Sequence, residues 1–169
     1  MPAAIKPLRP PDTHHLRAAE GWLELGNTKE ALRELAQLSA PHREHPDALD
    51  VLWQIHAKEK QWAKCVGIAD RIVQTDPHRD TGWVHRSFAL HELKRTQEAH
   101  DQLLPALANF TDSWLVPYNL ACYLCQLGRL DESRRLLAKA IKRGGPTVRQ
   151  TALQDGDLQP LHAGQALPE

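Results

Sequence analysis

The chain has 169 residues, 41% of them hydrophobic and 25% charged, the profile of a soluble globular protein with room for one domain or a short repeat array. Its 21 Lys and Arg balance its 21 Asp and Glu, and a formal charge of zero speaks against a nucleic-acid binder and against electrostatic docking on a membrane. Three cysteines cannot all pair internally, and no apolar run approaches the roughly 20 residues that a membrane span needs, so a reduced, cytoplasmic setting is expected.

Residues 1–11 carry four prolines and are expected to be a flexible N-terminal segment. A first helix starts at Asp12, with Ala18 and Trp22 on its apolar side and the small Ala19 beside them. Gly26 stops it, and GNTKEALRELAQL gives a second helix. Pro46 and Asp47 open the next pair, whose second helix is KQWAKCVGIADRI from Lys60. Trp53 stands there in a column that is small elsewhere, and His56 replaces an apolar residue, so this pair is expected to pack differently. Asp80 opens a third pair, in which Arg86 replaces an apolar residue and Pro105 interrupts the helix begun at Lys94. A mid-helix proline removes a backbone donor, so a kink is expected. The fourth pair runs through Leu120, Ala121 and Leu124 to Gly128 and GRLDESRRLLAKA. After Gly144-Gly145, a capping helix is expected over 146–154, with Leu158 and Leu161 folding back and residues 163–169 mobile.

The four second helices begin at 26, 60, 94 and 128, a period of 34 residues without a gap. A small residue recurs in register (Ala31, Cys65, Ala99, Ser133), as does an apolar column (Leu35, Ala69, Leu103, Leu137). A further apolar column follows (Leu38, Ile72, Ala106, Ala140), and spacings of three and four put all of these on one helical face. The expected organisation is four repeats, about 12–45, 46–79, 80–113 and 114–144, followed by a cap and tail over 145–169.

These residues carry a resemblance to the tetratricopeptide repeat family. It is clearest in YNLACYLCQLGRLDESRRLLAKAI, Tyr118 to Ile141; Thr75-Asp76-Pro77 looks like the usual repeat ending, and Trp83 sits where the family often has tryptophan. The resemblance implies an all-α, right-handed α-solenoid of four helix-turn-helix repeats with a C-terminal capping helix. It also implies a protein-binding groove on the concave side, lined by the first helix of each repeat. On that reading Leu16, Glu20, Asp50, Gln54, Val84, Phe88, His91, Leu115, Tyr118, Asn119 and Cys122 form the groove. Its N-terminal half is acidic and its C-terminal half apolar and aromatic, which suits a segment with apolar anchors and a basic end. Some family members clamp the acidic tail of heat-shock chaperones with Lys, Asn and Arg. Only Asn119 matches that set here, Arg17, Val51 and His85 stand in the equivalent columns, and that mode is rejected.

The expected function is a scaffold or adaptor that binds a protein or peptide, without catalysis, cofactor, metal, nucleic acid or membrane. A dedicated chaperone for a secreted or assembling client is the first alternative. A metal or redox sensor is the second, because Cys122-x-x-Cys125 shares a helix face and His91 lies one repeat away. Buried cysteine is more often a small apolar filler, and no second Cys-x-x-Cys exists. Ten scattered histidines form no ligand pattern, and the basic run Arg134 to Arg143 reads as a solvated outer face. The sequence leaves open whether two copies pair as a homodimer through tryptophan-rich surfaces near Trp53, Trp62 and Trp114.

Overall fold

A computed structural model describes residue 5 and residues 7–162. The tail expected to be mobile, 163–169, lies outside the described residues. The protein is all-α, 79% helix, with no strand among the described residues. The helices are α1 (Asp12–Glu24), α2 (Thr28–Gln37), α3 (Pro46–Lys58), α4 (Trp62–Thr75), α5 (Asp80–Glu92), α6 (Thr96–Leu103), α7 (Ala106–Asn109), α8 (Leu115–Gln126), α9 (Leu130–Gln154) and α10 (Gln159–His162). The chain forms two compact units, Met1–Arg86 and Ser87–Glu169.

The 34-residue period is written into the backbone. Gly26, Lys60, Lys94 and Gly128 all hold positive φ, at 78°, 55°, 63° and 76°. Each turns a first helix into a second, and the left-handed conformation that glycine adopts freely is forced on two lysines. The small column is equally regular. Cys65 Sγ lies 3.7 Å from the Trp53 carbonyl, and two repeats later Ser133 Oγ donates to the Ala121 carbonyl at 2.6 Å. Ala31, Cys65, Ala99 and Ser133 are all fully buried where the two helices of a pair meet.

In the first unit α1 packs on α2 and α3 on α4. Leu16, Ala19, Leu23, Ala31, Leu35, Leu38, Ala48, Val51 and Ile55 form one core cluster, edged by Leu8, Leu32 and Leu52. Trp22, assigned from its spacing to the apolar side of α1, is 38% exposed instead. Asp12 does more than begin α1. Its carboxylate accepts from Ser39 N at 3.0 Å and Ser39 Oγ at 2.6 Å, and bonds His42 Nδ1. These contacts, the Ser39 hydroxyl first, hold the Asp12 carboxyl down to about 2.

Trp53 is buried within α3. It stacks on His85 at 3.8 Å with the rings 2° from parallel, and His85 Nε2 bonds Asp50 at 2.8 Å. Both contacts fasten the start of α5 to α3. Arg86 likewise has a place, over the Trp83 ring at 5.1 Å and 3.2 Å from Asp70. The Trp83 indole donates to the Pro77 carbonyl at 3.2 Å, tying the Thr75–Pro77 ending to the next helix.

In the second unit Pro105 breaks the helix outright: α6 ends at Leu103, and α7 restarts after the proline. α8 lies against α9 and α6. Gly145, at φ 72° and ψ −159°, lets α9 bend sharply, so residues 146–154 set off in a new direction as the expected cap. Leu158 and Leu161 then fold back and are fully buried.

Candidate functional site

Three residues assigned to the groove come together in the first unit. Glu20, Asp50 and Gln54 line an open depression of about 340 Å³ between α1 and α3, with Leu23, Glu24, Val51 and Lys58. Glu20, Glu24 and Gln54 are exposed, and Leu23 and Val51 form the apolar floor. Asp50 is engaged by His85 and accepts from Gln54 Nε2 at 2.9 Å. Burial would raise its pKa, but the His85 and Gln54 hydrogen bonds outweigh it and the carboxyl sits below its ordinary value. Lys58 Nζ caps the Leu23 carbonyl at 2.8 Å, so a cation borders the acidic patch. Glu24 and Lys58 were not assigned from the sequence; both stand at the ends of first helices, beyond the columns used there.

Leu16 is corrected. It is 6% exposed and belongs to the core cluster that α1 shares with α2 and α3. Val84 is also buried, next to the His85 contacts that clamp α5 onto α3. Phe88, Leu115 and Asn119 are half-buried. Asn119 is no clamp residue here: its amide donates to the Leu115 carbonyl at 2.9 Å, and its oxygen lies 3.5 Å from the Tyr123 hydroxyl.

His91, Tyr118 and Cys122 do come together in the second unit, but not as an open wall. The chain returning after α9 covers them. The Tyr118 hydroxyl donates to Asp155 at 2.7 Å, Cys122 Sγ lies 3.8 Å from the same carboxylate oxygen, and His91 Nε2 is 3.1 Å from Asp157. Exposure falls to 7% at His91 and Tyr118 and 4% at Cys122. Asp155 and Asp157 had no role in the sequence reading; their only signal was an Asp-Gly-Asp turn before the two leucines.

The cysteines are poor thiolates. Burial pushes the Cys122 thiol well above its ordinary value, with the nearby Asp155 charge adding to it. Cys125 is raised by burial too, and Cys65 is pushed up to about 11. A neutral thiol is neither a strong nucleophile nor a ready metal ligand. No group of three or more His, Cys, Asp or Glu among the described residues is arranged to hold a metal ion. Of the tryptophans considered for pairing two copies, Trp53 stacks on His85, and Trp114 packs edge-on against Tyr118 at 5.9 Å. No helix among the described residues is long and apolar enough to cross a membrane.

Antiparallel helix pairs at a fixed 34-residue period, with no strand among the described residues, define an α-solenoid of the tetratricopeptide-repeat type. The solved structures that share it include two of MamA. The one titled "MamA MSR-1 C2" matches with a TM-score of 0.64 at 18% identity, covering 80% of this chain and 78% of its own. A second, of a MamA mutant, matches with a TM-score of 0.58 at 21% identity, over 78% of this chain and 76% of its own. At these identities the likeness establishes the fold. No protein-family model and no curated protein matches the chain.

Proposed function

We propose that this protein is an interaction module, a scaffold or adaptor that receives a segment of another protein on the surface between α1 and α3. The observation that carries this is the pairing of exposed carboxylates at Glu20 and Glu24 with an apolar floor of Leu23 and Val51 in one open depression. Such a surface suits an apolar side chain flanked by a lysine or arginine, the cation answering the two glutamates. Binding is the role we assign, and burial holds the three thiols above their ordinary pKa, so none of them is offered as a nucleophile. Three free, buried thiols fit a reducing compartment, the cytoplasm.

The test is capture from the native cell by wild type and by Glu20→Arg/Glu24→Arg, with circular dichroism on both. A partner held by wild type and lost by an equally helical variant, with affinity falling as salt rises, supports the assignment. Equal capture by both proteins sinks it.

A further inference from the structure

A terminal repeat needs its apolar face covered, and buried leucines alone would do that. The segment after α9 makes a more particular set of contacts. Asp155 leaves the helix in an extended conformation, φ −76° and ψ 118°, and the chain turns back at that residue. Its carboxylate meets the Tyr118 hydroxyl and Cys122 Sγ, and also accepts from Asp157 N at 2.9 Å. The Asp157 side chain reaches His91, while its carbonyl accepts from Gln126 Nε2 at 2.8 Å. Arg134 closes the far end by donating to the Leu161 carbonyl at 2.8 Å. Leu158 and Leu161 enter the surface between these polar contacts and are fully buried.

A pattern of acid, spacer, acid, leucine, two spacers, leucine is thus read by side chains of α5, α8 and α9. A cover that needed only to exclude water would not set a carboxylate against a tyrosine and a thiol, because shielding a carboxylate costs free energy unless donors meet it. The segment has little structure of its own to lose on leaving: one 3-10 turn, Gly156–Leu158, and the four residues of α10.

We propose that the wall of Tyr118, Cys122, Gln126 and His91 is a second recognition site, specific for an Asp-x-Asp-Leu-x-x-Leu segment. Residues 155–161 are its resident occupant, and a partner protein presenting the same pattern displaces them. The step rests on reading the chain as a segment-binding module, but on a different surface from α1 and α3. Tethering gives the resident segment an effective concentration on the order of millimolar, so only a tight or abundant competitor opens the site.

The buried thiols report on the cover. Cys122 and Cys125 belong to the covered helix α8, whereas Cys65 lies in the other unit and serves as an internal control. Thiol-reagent kinetics on the full-length chain would compare wild type, Leu158→Ala/Leu161→Ala and the milder Asp155→Asn. The probe is an acetylated peptide of the Gln154–His162 sequence. In both variants Cys122 and Cys125 are expected to react at least about tenfold faster, with Cys65 and helicity unchanged, because truncated leucines or the loss of the Asp155 charge that meets Tyr118 weaken closure. The peptide should restore protection, and a peptide with both aspartates changed to asparagine should not. Acceleration of all three thiols together in Asp155→Asn would make the segment a structural cap and overturn the proposal. So would a peptide that leaves the fast thiols fast. A concentration-dependent wild-type dimer that hides these thiols would assign the pattern to exchange between two copies, which also overturns it. Glu20→Arg/Glu24→Arg is expected to leave the thiol rates unchanged, so failure at α1 and α3 is read separately.

Discussion

Gly82 sits where two physical effects oppose each other, and their balance decides the sign of one substitution. A Cβ at Gly82 would lie 2.7 Å from Ile72 Cγ2, 3.2 Å from Ile72 Cβ and 3.2 Å from Val73 Cγ2. Carbon atoms prefer about 3.5–4.0 Å, and Ile72 is fully buried. Gly82→Ala therefore pushes α5 away from α4, at a cost of about 1–3 kcal/mol for overpacking. Alanine's helix propensity returns up to about 1 kcal/mol, and less than that so near a helix start. Gly67, in α4, has nothing within 4 Å of its would-be Cβ. Gly67→Ala should therefore gain about 0.5–1 kcal/mol. The two variants share the sign of the propensity gain, and the steric cost is present only at Gly82. Thermal and urea unfolding by circular dichroism should place Gly82→Ala below wild type and Gly67→Ala above it, with about 2–4 °C for each kcal/mol. Because α5 also seats His85 on Trp53, the Gly82 variant should lose near-UV tryptophan signal as well. Equal stability of the two variants would refute the close seating of α5 on α4.

The remaining predictions use other parts of the fold. Lys60→Gly and Lys94→Gly each remove a left-handed non-glycine residue, at φ 55° and 63°, and should each stabilise the protein by about 0.5–1 kcal/mol in urea unfolding. The Asp12 carboxyl is held at about 2 against an ordinary 3.8, so its folded pKa is depressed. Its contribution is present above the ordinary value and is lost as pH falls from 3.8 towards about 2. Asp12→Asn should therefore lower the melting temperature at neutral pH and narrow its gap to wild type across that acid window.

The repeat was legible because its causes are local. Gly26 and Gly128 announce two of the four left-handed turns, and the period supplies the other two at Lys60 and Lys94, where the residue type gives no warning. Pro105 and Gly145 mark their helix break and bend by their own covalent character. The burial of the two leucines beyond the cap was legible too, since an exposed apolar end must be covered. What they would cover was not. Helical spacing assigns a face, and with the resemblance it assigned Tyr118, Cys122 and His91 to the groove; all three meet the returning segment. Whether a wall is open depends on a chain that returns from 33 to 66 residues away in sequence, through Asp155 to Cys122 and Asp157 to His91. No periodicity encodes such a pairing. A carboxylate placed just past a helix end reads as an ordinary turn until its donors are known. The same blindness explains Leu16: its spacing in α1 fits the groove face, but it is drawn into the core shared with α2 and α3. In a repeat array the columns fix which residues share a face, and the non-repeating ends decide which faces remain free to bind. For this protein that leaves the α1–α3 surface open and lays residues 155–161 over the wall of Tyr118, Cys122 and His91.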